Sequence, residues 1–275
     1  MGLRAGAAAA FLPGDEDGLE DCAGRYREGD VGRRCGGDRA AGVTSAPAAA
    51  LVFKGMATVF IAGSTGYMGR ALIGELLARG HRVRALARPA SAGKLPSRCE
   101  VVEGDALDAT TYQTRAAGAD SFVHLVGVAH PSPAKAEQFR TVDLVSIRET
   151  LAAAKFAGIR QLVYVSVAHP APTMKAYIEV RSAGEEMIRA AGLDATILRP
   201  WYVLGPGHRW PYVLQPIYWL MERVPSTRHS ARRLGLVSLK QMAAALVEAV
   251  ENPARGMRVV EVPEIREAVA KQVRS

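Results

Sequence analysis

Gly63, Gly66 and Gly69 stand three residues apart in Ala62-Gly-Ser-Thr-Gly-Tyr-Met-Gly69, a pattern suited to holding a phosphorylated ligand against bare backbone. Gly63 allows a sharp turn, and Gly66 removes a Cβ where backbone must approach a pyrophosphate. Gly69 lets the next helix pack close to a sheet, with its N-terminal amides and dipole aimed at the phosphates. Ser64, Thr65, Tyr67 and Met68 complete this candidate cradle. About 20 residues beyond the last glycine, where a site for an unmodified ribose places a carboxylate, stands Arg88. A guanidinium there matches a 2′-phosphate, which a carboxylate would repel. The alternative is a solvated charge at a strand end. The chemistry expected is dinucleotide binding, with NADP(H) ahead of NAD(H).

The elements that must position these residues follow from periodicity. Thr58–Ala62 is a short β-branched and apolar run, the mark of a buried parallel strand. A helix follows with Ala71, Leu72, Leu76 and Leu77 on one face, stopped by Gly80, and His81 to Ala87 makes a second strand. Strand, glycine turn, helix, strand is the context this fingerprint requires. Further strands are expected at Glu100–Gly104, Asp120–Val126, Gln161–Val165, Leu193–Leu198 and Arg258–Val262. Helices are expected near Asp108–Ala117, over 133–156 without a break, around Tyr177 to Glu185, and at Leu239–Val250. The alternation predicts an α/β fold, a doubly wound parallel Rossmann sheet with a small C-terminal substrate lobe. Val126 closes the expected fourth strand and Gly127 sits at its C-terminal end, where such sheets bind ligands. His124, inside that strand, reads as a core histidine.

Composition narrows the classes. The 275-residue chain is 49% apolar and carries a net charge of +8. Residues 1–55 hold seven Lys/Arg against eight Asp/Glu, so the remainder carries about +9. That balance suits an anionic ligand. No basic run with interleaved aromatics points to nucleic acid, so none is expected as a partner. Cys22, Cys35 and Cys99 form neither a disulfide framework nor a zinc spacing, so no metal is expected and the setting is expected to be cytoplasmic. No apolar run reaches the about 18 residues of a membrane span. Residues 1–55 are rich in Gly, Ala, Arg and Asp without periodic apolar faces, and are expected to form a disordered extension before a domain over 56–275.

The Gly-x-x-Gly-x-x-Gly turn, with Thr196-Ile-Leu-Arg-Pro200 and Leu204-Gly-Pro-Gly207, resembles the extended and atypical short-chain dehydrogenase/reductases, epimerase-like and NmrA-like members included. The resemblance runs from about Met56 to near Pro263. It implies hydride transfer between NADP(H) and a carbonyl or alcohol, or nucleotide-sugar epimerisation. Ser166 would polarise the substrate oxygen. Tyr177, eleven positions later, would be the general acid/base. The family's lysine four residues beyond the tyrosine is here Arg181. A phenol titrating near ~10 needs an adjacent cation to work at neutral pH, and arginine supplies charge but not an ammonium's shape. In the other reading, Tyr177 and Arg181 bind cofactor or pair with Glu185 in a non-catalytic redox sensor or assembly protein. The resemblance also implies an adenine contact at Asp105 with Ala106, where the competing reading is a helix cap. Pro200 would open a loop over the nicotinamide, and 200–238 would form much of the substrate lobe. Trp201, Trp210 and Trp219 there suggest core between lobe and sheet, or a pocket for a small hydrophobic substrate. Arg223, Arg228, Arg232 and Arg233 read as a solvated basic face or a contact for an anionic tail.

Overall fold

The computed structural model describes residues 55–171, 173–205 and 233–274. Expectations for 1–54 and 206–232, which include Cys22, Cys35, Trp210, Trp219 and three of the four late arginines, lie outside the described residues. Seven strands form one parallel sheet in the order β3-β2-β1-β4-β5-β6-β9. The strands are β1 (Thr58–Ala62), β2 (Arg82–Ala87), β3 (Glu100–Glu103), β4 (Ser121–His124), β5 (Gln161–Val165), β6 (Asp194–Arg199) and β9 (Met257–Glu261). From β1 the chain winds outward one way to β3, then returns to place β4 on the other side of β1. Val59 pairs with Val83 on one side and Ser121 on the other. This reversal opens a crevice beyond the carboxyl ends of β1 and β4, the place where doubly wound sheets bind ligands.

Each face of the sheet buries an apolar layer, which is why the strands read as continuous apolar runs. On one side α1 (Tyr67–Ala78), α6 (Leu239–Glu251) and α7 (Val262–Arg274) bring Leu72, Leu76, Met242, Leu246 and Ile265 against Val59 and Ile61. On the other, α2 (Gln113–Ala116), α4 (Val145–Phe156) and α5 (Lys175–Ala190) cover Phe60, Phe122 and Leu162 with Tyr112, Ile147 and Ile188. Gly80, at φ +84°, ends α1 and lets the His81 N–H reach back to the Leu76 carbonyl.

Several expected elements take a different form. Asp108–Ala117 is no continuous helix. Asp108 caps a 3₁₀ turn at Ala109–Thr111, and only one α-turn, α2, follows. The helix expected without a break over 133–156 is interrupted. A 3₁₀ turn at Pro133–Lys135 leads to α3 (Ala136–Gln138), a π-helical segment at Phe139–Leu144, and then α4. The wider π turn lets Phe139 and Asp143 both face inward. A two-stranded parallel pair, β7 (Tyr202–Leu204) with β8 (Leu236–Ser238), and the helix α7 had no counterpart in the periodicity.

Candidate active site

The glycine turn leaves β1 and enters α1. A Cβ on Gly63 would come within 2.6 Å of the Leu125 carbonyl carbon, so the turn lies tight against the chain leaving β4. A Cβ on Gly69 would collide with the Gly63 and Ser64 carbonyls. Gly66 caps α1 without a side chain, and no acidic residue occupies the first turn. The first amides of α1 therefore lack a side-chain acceptor, the arrangement a pyrophosphate satisfies. The residues thus fit a dinucleotide. Ser64 is fully buried and its Oγ donates to the Leu86 carbonyl at 2.5 Å, so its hydroxyl ties the turn to β2. Thr65 is half-buried beside it.

Arg88 is exposed directly after β2, in extended backbone at φ −69° and ψ 146°. Its guanidinium has no ion pair or hydrogen bond among the described residues. Asp105 is exposed after β3, and its Oδ1 accepts the Leu107 N–H at 3.0 Å, a turn closure rather than a helix cap. Ala106 follows, half-buried. These three stand apart from a cavity of about 310 Å³ that gathers most of the other expected residues. Gly63, Gly66, Tyr67, Met68, Gly69, Gly127, Ser166, Tyr177, Arg181 and Pro200 all line it. Ser64, Thr65 and Val126 do not. The loop residues Val128 to Pro131 and the segment Trp201 to Val203 complete the wall, mostly with apolar side chains.

Helix α5 carries Tyr177, Arg181 and Glu185 on one face because they are spaced by four. Tyr177 lies half-buried against Phe139, ring centroids 5.0 Å apart, with the Arg181 guanidinium carbon 5.2 Å from its own. Arg181 is buried, at 5% exposure. It donates to the Val165 carbonyl at 3.0 Å and the Val126 carbonyl at 3.2 Å, and forms an ion pair with Asp143 at 2.7 Å. It therefore clamps the ends of β4 and β5. A Cβ on Gly127 would collide with it, which explains the glycine there. Burial opposes the Arg181 charge, but Tyr177, Tyr164 and Asp143 together hold its pKa above the ordinary value. Burial pushes the Asp143 carboxyl up, against the pull of Arg181 and the Val128 N–H that Oδ2 accepts at 3.0 Å.

Ser166 directly follows β5, at 3% exposure. Its hydroxyl, expected to polarise a substrate oxygen, donates to Glu185 Oε1 at 2.5 Å. Glu185 in turn accepts from Arg199 through Nε at 3.0 Å and Nη2 at 2.5 Å. Tyr67 donates from its hydroxyl to the Val203 carbonyl at 3.2 Å. Its phenol is pushed up to about 12, chiefly by burial, with Tyr202 and Tyr177 adding to it. His124 is buried, held by Thr150 at 2.9 Å, and pushed down to about 3 by burial first and the Arg181 charge second, so it stays neutral. Sequence reasoning passed over Asp143 and the Ser166 partnership. For Asp143 a signal existed, a lone carboxylate on the buried stripe of Phe139 and Ile147, which demands a cation.

Comparison with known proteins agrees with this geometry. The family model described as NAD(P)H-binding matches residues 63–253. A ceramide reductase from Caulobacter vibrioides is 31% identical over 212 residues, 76% of this chain and 65% of the relative. A 4-hydroxy-2-methyl-3-oxo-4-farnesyl-3,4-dihydroquinoline-1-oxide ketoreductase from Stigmatella aurantiaca is 27% identical over 53% of this chain. The chain spans 65% and 50% of the lengths of these two relatives. Among solved structures, WbmH from Bordetella bronchiseptica in complex with NAD+ has a TM-score of 0.57 at 24% identity, covering 80% of this chain and 83% of its own, a likeness of fold. Among the described residues no helix is long and apolar enough to cross a membrane. A parallel Rossmann sheet, a capless glycine turn at its switch point and a match over residues 63–253 together place this chain in the NAD(P)H-binding family of atypical short-chain dehydrogenase/reductases, built to bind a nicotinamide dinucleotide.

Proposed function

We propose that the chain is an NADP(H)-dependent oxidoreductase that moves a hydride between the nicotinamide and the carbonyl or alcohol carbon of a largely apolar small molecule. One observation carries this reading: the Tyr177 side chain lines the same 310 Å³ cavity as the glycine turn. The bound cofactor supplies or accepts the hydride. The turn over 63–69 and the first amides of α1 hold its pyrophosphate, Asp105 and Ala106 its adenine end, and Val126, Gly127 and Pro200 its nicotinamide half. Arg88 meets the 2′-phosphate, the reason to favour NADP(H). Tyr177 gives its proton to the carbonyl oxygen in reduction and takes it back from the alcohol in oxidation. Arg181 keeps a fixed cation against the Tyr177 ring and holds the ends of β4 and β5 in place. Residues 56–275 act as one cofactor-binding unit, with 200–238 forming much of the substrate side.

The polarity of the cavity supports the substrate class. No Asp, Glu, Asn, Gln or Lys lines it among the described residues. A sugar nucleotide needs several such partners for its hydroxyls, whereas an apolar carbonyl compound needs few. The names of the two relatives described above, both reductases, point the same way. A second reading, a non-catalytic dinucleotide sensor, is favoured by the internal engagement of Arg181 and Ser166.

Two measurements test the proposal. Single-turnover hydride transfer from NADPH should fall about 10²–10⁴-fold in Tyr177→Phe, with NADPH affinity little changed. Equal rates would remove Tyr177 from the chemistry, and no transfer to any carbonyl would favour the sensor. Fluorescence titration should show tighter binding of NADPH than NADH, with the order reversed in Arg88→Asp. Equal affinities in the parent would end the argument from Arg88.

A further inference from the structure

Ser166 lines the cavity, yet the group it touches is not in the cavity. Its Oγ lies 2.5 Å from Oε1 of Glu185, a carboxylate at 3% exposure. An ionised carboxylate has lone pairs and no proton, so it can only accept. Glu185 faces a fixed cation, since Nε and Nη2 of Arg199 both donate to it and a guanidinium does not give up its charge. The single hydrogen of Ser166 must therefore lie on the line to Glu185. A serine hydroxyl has one hydrogen, so what remains for the cavity is its lone pairs.

We infer that Glu185 is a positioning residue that fixes Ser166 as a hydrogen-bond acceptor toward the cavity, leaving Tyr177 as the side chain that donates to a substrate carbonyl. This rests on the oxidoreductase reading and changes one role within it. Ser166 receives a hydrogen bond from a hydroxyl, that of a substrate alcohol, and does not polarise a ketone. While Tyr177 keeps its own proton, the alcohol oxygen accepts from Tyr177 and its single hydrogen goes to Ser166. That hydrogen turns to Tyr177 only when Tyr177 acts as the base. The ketone, which has no hydrogen to give, is held by Tyr177 alone. The Arg199 guanidinium carries the arrangement across to β6, immediately before Pro200, so the direction of the Ser166 hydrogen is set by residues that touch no ligand.

The first arm of the test needs no substrate. A short charge-assisted O–H···O⁻ bond that is buried gives a downfield, slowly exchanging hydroxyl proton in NMR. The parent protein should show one that vanishes in Ser166→Ala and moves upfield in Glu185→Gln. An unchanged signal in both variants, or none in the parent, would overturn the inference even if the enzyme is active. The second arm uses 2-decanone and 2-decanol as probes with NADP(H). Ser166→Ala should lower single-turnover ketone reduction only a few-fold and weaken binding of the alcohol more than of the ketone. A loss in Ser166→Ala as large as that in Tyr177→Phe would overturn the inference by making Ser166 a donor. If the parent reduces no ketone, the oxidoreductase reading fails and the first arm alone decides the direction of the bond.

Discussion

At position 181 a lysine would bring one nitrogen to a place where the arginine serves two strand-end carbonyls and a buried carboxylate. The pair with Asp143 is therefore expected to act as a unit. Removing one partner of a buried pair typically costs about 3–5 kcal/mol, whereas replacing both by apolar groups is often near neutral. Arg181→Met and Asp143→Leu should each lower stability by that order, and the two combined should recover most of it. Urea unfolding of the four proteins checks this, and additive losses in the double variant would show two independent side chains. The shared face of Tyr177, Arg181 and Glu185 was legible because a spacing of four is a local property of a helix. Their partners were not, because Asp143, Ser166 and Arg199 approach only through the sheet. Likewise the glycine turn could be read from its spacing, but the burial of Ser64 onto Leu86 could not.

At the level of elements, strands buried on both faces announce themselves, and β1, β2 and β5 fall within a residue of where apolar runs put them. The break at Phe139–Leu144 was hidden because the segment holds no Gly or Pro to mark it. The wider turn carries Asp143 to partners that are distant in the chain, Arg181 and the Val128 N–H. The pair β7 and β8 escaped because three-residue strands carry no usable alternation. In β4, His124 yields a pH prediction. Its folded pKa is pushed down to about 3, against about 6.5 for an unfolded histidine. As pH falls below about 6.5 the unfolded chain takes up the proton first, so folding loses about 1.4 kcal/mol per pH unit from this group until about pH 3, and is unaffected by it above pH 6.5. His124→Gln should flatten that part of the stability profile. Urea midpoints across pH 4–7 would show it, with parallel profiles excluding His124 as a source.

For the whole molecule, the two apolar layers and the crossing from β3 back to β4 are what the alternating pattern implies, and they place the crevice where the glycine turn and Gly127 meet. The substrate side is less legible, since its walls combine residues far apart in the chain. Tyr67, in the glycine turn, bonds the Val203 carbonyl of β7, so the two sides of the crevice share a hydrogen bond.

The parallel pairing of β7 with β8 sets Leu204 beside Ser238. Because the pairing is parallel, the chain leaves β7 at the Leu204 end and re-enters β8 at Leu236, the end beside Tyr202. Both ends of the connection over 205–235 are therefore fixed by one short frame, this pair of strands. Closing a loop grows dearer slowly, by about 0.6 kcal/mol for each doubling. Doubling this connection with Gly and Ser residues should therefore leave the NADPH affinity near the parent value and shift the thermal midpoint only slightly. Loss of cofactor binding in such a variant would show that the frame does not stand alone. A chain arranged in this way fixes Leu204 and Leu236 as two clips, so that the sequence joining them can be exchanged, in evolution or in the laboratory, while the sheet and its glycine turn are inherited intact.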